Sequence, residues 1–210
     1  KSSLPLTSIY NRLGFDFGTV GNHEFNYDLP YLKQAINQLH YPVLCANIIE
    51  NTQPFTGQGI HYFKVNGLTI GTIGLTTQYI PHWEQPEYIK TLTFNSAVQT
   101  LKSELPTLRE KSDIVVVSYH GGFERDLDSG HQHRDIATIK NQTAIIQPGS
   151  KGTKVGKIVI EYTHDKKVLI KECNLMNVHN NTSFKPNDED IVLRNQLEDW
   201  LDTQIAELPY

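Results

Sequence analysis

Along the chain the apolar positions fall into two rhythms, and each change of rhythm marks an element. In "LPLTSIYNRLG", Leu6, Ile9, Tyr10 and Leu13 recur at helical spacing and Gly14 closes the run. This predicts a helix with a glycine cap. "FDFGTV" reads as a short strand that runs into "GNHEF". Leu29, Leu32, Ile36 and Leu39 then share one face of a second helix, and "YPVLCANI" is a buried strand. Strand, helix, strand is the crossover unit of a parallel sheet.

"HYFKVNGLTIGTIGL" sets Asn66-Gly67 between β-rich runs, a strong hairpin signal. "NSAVQTLKSELPTLREK" is helical, capped by Ser96 or Asn95, and Pro106 is expected to kink or divide it. "DIVVVSY" has the unbroken apolar pattern of a central strand buried on both faces. After residue 142, "TAIIQ", "VGKIVIEY" and "KVLIKECNL" make a β-rich run, with "THDKK" as a turn. The last pattern puts Leu193, Leu197, Trp200, Leu201 and Ile205 on one face of a long helix. Residues 184–188, which include Pro186 and Asn187, separate that helix from the body. We therefore divide the chain into residues 1–182 and a linker helix over 183–210.

Composition narrows the class without changing these elements. The 210 residues are 38% hydrophobic with a mean hydropathy of -0.41, values that suit a globular chain with a real core. No stretch approaches the roughly 18 apolar residues of a membrane span. "KSSLPLTSIYNRLG" lacks the apolar core of a signal peptide and reads as the interior of a longer protein, which leaves both a cytoplasmic and an extracytoplasmic address open. A net charge of -4 with no clustered basic stripe argues against binding long nucleic acids. A phosphorylated small molecule stays possible if a metal supplies positive charge. Cys45 and Cys173 form no CxxC pair and read as two buried thiols rather than a disulfide framework.

The candidate chemistry lies in three loops. "GNHEF" offers the amide oxygen of Asn22 and the imidazole of His23, although alone it is also a simple polar turn. His120 directly follows the "DIVVVSY" strand, and Gly121 and Gly122 behind it allow close backbone approach. The carboxyl ends of parallel strands are where α/β sheets place ligands. His131 and His133, two residues apart, point to one side of an extended backbone. Imidazole nitrogen and amide oxygen without thiolate suit Mn, Zn, Fe or Co better than a structural zinc.

"GNHEFNY", "SYHGGFERD" and "GHQHR", followed by "QPGSKGTKVG", resemble the catalytic domain of the 5′-nucleotidase and 2′,3′-cyclic-nucleotide phosphodiesterase family of calcineurin-like metallophosphoesterases. The resemblance runs in order over nearly the whole chain. It implies an α/β fold, a four-layer α/β/β/α sandwich incomplete here at its N-terminus, with two divalent metal ions at the loop ends of its sheets. It implies that Asn22, His120 and His131 bind one ion and His133 the other. His23 would act near the leaving-group oxygen as proton donor or transition-state stabiliser, with a nucleotide as substrate and hydrolysis by metal-activated water. Gly149 and Gly152 would keep backbone close to the site, or serve only as turn residues.

Three departures from the family pattern shape the expectations. The family's opening Asp-x-His and Gly-Asp loops are not in this sequence, so the 210 residues alone are expected to be inactive or nearly so. Many members carry Asp where this chain has Asn26, which orients an imidazole but brings no charge. Asn there leans towards the cyclic-nucleotide branch. The nucleoside-binding C-terminal domain is also missing, and the last helix resembles the linker that leads to it. Only Gly121 to Gly130 separate His120 from His131, while a parallel crossover needs about a dozen residues. We therefore expect the sequence to join stretches that are not covalent neighbours somewhere between Arg125 and His131. Other readings stay open: a phosphoesterase for a non-nucleotide substrate, or a relic of the fold kept as an interaction module.

Overall fold

The computed structural model describes residues 5–121, 135–149, 152–163, 165 and 167–178, together with 187, 188, 191, 192, 194–196, 198 and 199. The first helix, α1 (Pro5–Leu13), ends at Gly14, whose φ of +69° is the left-handed value a glycine cap needs. Next, β1 (Gly18–Thr19) pairs in parallel with β2 (Val43–Leu44), and α2 (Leu29–Ile36) makes the crossover between them. Asp28 caps α2 by accepting the Tyr31 amide at 2.7 Å. Leu29 and Leu32 on its inner face pack into a core with Val20, Phe25, Val43, Cys45 and Ile48.

The "YPVLCANI" run does not stay in one sheet. Cys45 N bonds Gln58 O and Ala46 N bonds Gly74 O, so the chain turns away after Leu44. It then enters a second sheet as β3 (Ile48–Glu50), paired antiparallel with β4 (Gln53–Pro54) and with β7 (Leu92–Phe94). The expected hairpin forms from β5 (Ile60–Val65) and β6 (Leu68–Thr76), with Asn66 and Gly67 at φ +50° and +82°. Beyond β6 lies a short α3 (Pro86–Ile89), then β7 and α4 (Ala97–Lys111). The last of these returns the chain so that β8 (Ile114–His120) runs parallel to β6. Leu108 of α4 is fully buried against Ile73 and Leu75 of β6, which forms the second core.

Two expectations are corrected here. Pro106 does not divide α4, which is continuous over 15 residues from the cap at Ser96. Pro106 and Lys102 are both exposed, so water can satisfy the Lys102 carbonyl that the missing N–H leaves. Nor is β8 buried on both faces. Among the described residues it pairs only with β6, and Val117 is 42% exposed. Cys45 is fully buried as expected, but Cys173 is only half-buried.

The β-rich end consists of two antiparallel pairs: β9 (Asp135–Lys140) with β10 (Thr143–Pro148), and β11 (Lys154–Tyr162) with β12 (Val168–Asn177). Gly149 and Gly152 both have positive φ, as turn glycines do. Among the described residues no helix is long and apolar enough to cross a membrane. Gly122, His131, His133, the expected discontinuity between Arg125 and His131, and most of the proposed linker helix lie outside the described residues.

Candidate active site

The site grows from a buried polar knot where three strands end. Asn47 is fully buried, and its Oδ1 accepts the Thr76 amide at 2.9 Å. Its Nδ2 donates to the carbonyls of Thr76 (2.8 Å) and Asn95 (3.0 Å). The Thr76 hydroxyl in turn donates to Val20 O at 2.8 Å. The end of β6 is thereby fastened to the start of the "GNHEF" loop. In register with Thr76 across the sheet stands His120, and its carbonyl accepts the Thr77 amide at 2.8 Å.

These ties bring two predicted residues together. Asn22 is 8% exposed, and its Oδ1 lies 2.9 Å from Nε2 of His120, although 98 positions separate them in sequence. Gly21 makes room for this approach. A Cβ there would stand 2.7 Å from Cε1 of His120, closer than real contacts allow. The Gly21 amide donates to Glu24 at 2.8 Å, which pins the loop from its other side.

His23 opens a 3-10 turn (His23–Phe25) whose Phe25 anchors it in the core. Its imidazole is exposed, with Nδ1 2.9 Å from Oδ1 of Asn26. Asn26 Nδ2 donates to the carboxylate of Glu84, which follows another 3-10 turn, Ile80–His82. The second pair expected from the sequence, His23 and Asn26, is therefore in contact as well.

The donor chemistry fits a divalent ion of the borderline type. An amide oxygen and an imidazole nitrogen converge, and the nearby thiol is unsuited to metal. Burial pushes Cys45 up to about 11 from 9.0 despite a contact with Thr76, so it stays protonated beneath the site. Among the described residues no three His, Cys, Asp or Glu side chains gather into a metal cluster. Sequence reasoning missed Asn47, Thr76, Glu24 and Glu84. A lone polar residue inside the apolar run "YPVLCANI" was the available signal for Asn47, whereas nothing in "HWEQPEY" marks Glu84.

The chain carries the α/β fold of the calcineurin-like phosphoesterases. Such a phosphoesterase from Bacillus subtilis, YfkN, matches 94% of this chain with a TM-score of 0.74 at 19% identity, a likeness of fold alone. A Staphylococcus aureus structure assigned as a 5′-nucleotidase matches far more deeply. It is 48% identical with a TM-score of 0.85, over 96% of this chain and 45% of its own length. Among curated proteins, a 2′,3′-cyclic-nucleotide 2′-phosphodiesterase/3′-nucleotidase of Salmonella typhimurium is 35% identical over 133 residues, 58% of this chain and 21% of that protein. The corresponding protein of Yersinia enterocolitica is 26% identical over 208 residues, 77% of this chain and 32% of that protein. No family model matches. The chain is thus a homologue of the 5′-nucleotidases and 2′,3′-cyclic-nucleotide phosphodiesterases, and it spans about a fifth to a third of the curated relatives described here.

Proposed function

We propose that this chain is the catalytic-domain part of a metal-dependent phosphoester hydrolase acting on nucleotides, of 5′-nucleotidase or 2′,3′-cyclic-nucleotide phosphodiesterase type. The observation that carries this reading is the meeting of Asn22 Oδ1 and His120 Nε2 at 2.9 Å, at loop ends joined by a buried polar knot. Asn22 and His120 would hold one divalent ion together with His131, and His133 would belong to a second. Bound there, the ions would activate water and offset phosphate charge. His23, one residue from Asn22 and steadied by Asn26, would donate a proton to the leaving-group oxygen. Residues 183–210 would lead towards a nucleoside-binding domain.

The ligand and catalyst assignments separate in one experiment on the full-length protein with added manganese. His23→Ala should lower kcat roughly 100- to 10,000-fold on nucleotide substrates with metal content nearly intact. His120→Ala should instead deplete the metal. The reverse pattern in metal analysis would overturn both assignments. No turnover of any nucleotide by the parent protein would favour a non-catalytic relic.

A further inference from the structure

A carboxylate next to an imidazole steadies it unambiguously, but an amide does not. Asn has an acceptor end and a donor end, and either can face a ring nitrogen. Which end does so decides which nitrogen of the neutral ring carries the proton. Here the choice is made from outside the loop. Glu84 lies 58 residues from Asn26 and accepts a hydrogen bond from its Nδ2. A carboxylate can only accept, so the NH2 faces Glu84 and Oδ1 faces His23. Nδ1 of His23, 2.9 Å from that oxygen, therefore carries a proton whether the ring is neutral or charged, and Nε2 takes up the second proton, the one the imidazolium would give to a leaving group.

Glu84 itself is well held. Its amide bonds Ile80 O at 3.1 Å, and Ile80 is fully buried. Tyr79 and His82 stack across the same turn with ring centroids 3.7 Å apart. Glu84 is half-buried as a residue, on a turn rooted in the core, while its hydrogen bond to Asn26 lies at the surface.

We propose that Glu84 is a positioning residue for His23. Acting through Asn26, it fixes the Nδ1–H form of the ring. It also places behind the amide the negative charge that an Asp at position 26 would have set directly against the imidazole. The role in turnover rests on the phosphoesterase reading; the effect on the ring does not.

The test compares the full-length parent protein with Glu84→Ala and with Glu84→Ala combined with Asn26→Asp. Nitrogen-15 NMR of labelled histidine, at a pH where imidazole is neutral, should find His23 protonated at Nδ1 in the parent. In Glu84→Ala the released amide can turn its NH2 to the ring, and the Nε2–H form should gain. Adding Asn26→Asp should restore Nδ1–H, because a carboxylate at 26 needs no second residue to orient it. In kinetics, Glu84→Ala should lower kcat about tenfold with KM and metal content unchanged, and the double variant should recover most of the loss. An unchanged proton position in Glu84→Ala overturns the proposal, and so does a double variant that recovers nothing. If the parent protein hydrolyses no phosphoester, the functional reading fails while the NMR comparison still decides the role of Glu84.

Discussion

His120 lies against a residue that has no side chain, and this gives Gly21 a role separable from its backbone. In Gly21→Ala the new Cβ would stand 2.7 Å from Cε1 and 2.9 Å from Nδ1 of the ring, with Glu24 Oε2 at 2.8 Å closing the other side. The imidazole must swing away and lose its place beside Asn22. We expect metal affinity to fall about tenfold, with a much smaller change in melting temperature. Metal titration of the purified variant checks this; wild-type affinity would mean that the ring tolerates displacement. At this scale the sequence disclosed residues whose chemistry is unusual for their surroundings. Asn22 and His23 in a loop, and His120 at the tip of a strand, each have a bland reading alone, and their occurrence together is what pointed to a site. Asn47 and Glu84 act on those residues through one or two intermediaries, and a pattern of residue types does not record who bonds to whom.

Among the elements, α4 tolerates a residue that ought to break it. Pro interrupts one helical hydrogen bond and costs about 3 kcal/mol relative to Ala in a helix interior. Pro106 is exposed and lies outside both buried cores. Pro106→Ala should therefore stabilise the protein by about 1–3 kcal/mol, read from urea unfolding midpoints. An unchanged or lower midpoint would show that Pro106 has a packing role. The other elements were legible to the extent that their signals were local. The Asn66-Gly67 hairpin and the caps of α1 and α4 follow from a few adjacent residues. The strand β9 was missed because its turn, Asn141-Gln142, takes φ values of +49° and +60° without a glycine to announce them. The burial of β8 was overstated because an apolar run records a preference for partners, not their number.

For the molecule as a whole, Cys45 links stability to alkaline pH. Burial holds its thiol up at about 11, so the folded state binds that proton more tightly than the unfolded chain, whose value is 9.0. The stabilisation is complete below pH 9 and is lost as pH rises through about 11. Relative to Cys45→Ala, the parent protein should lose about 2 kcal/mol across that window. Desolvation also raises half-buried Tyr119, and with it Tyr31 and Tyr41, but both proteins share them, so the difference isolates the thiol. Parallel stability curves from denaturant unfolding would contradict the assignment. The separation of Asn22 and His120 has a consequence of another kind. Closing a loop of 98 residues costs on the order of 4 kcal/mol in chain entropy. The β6–β8 ladder and the bonds of Asn47 bear that cost, since they set the tip of β8 beside the loop whether or not anything is bound. If a cation binds there as proposed, it would meet Asn22 Oδ1 and His120 Nε2 already side by side, so little of its binding energy would go to drawing these two distant stretches together.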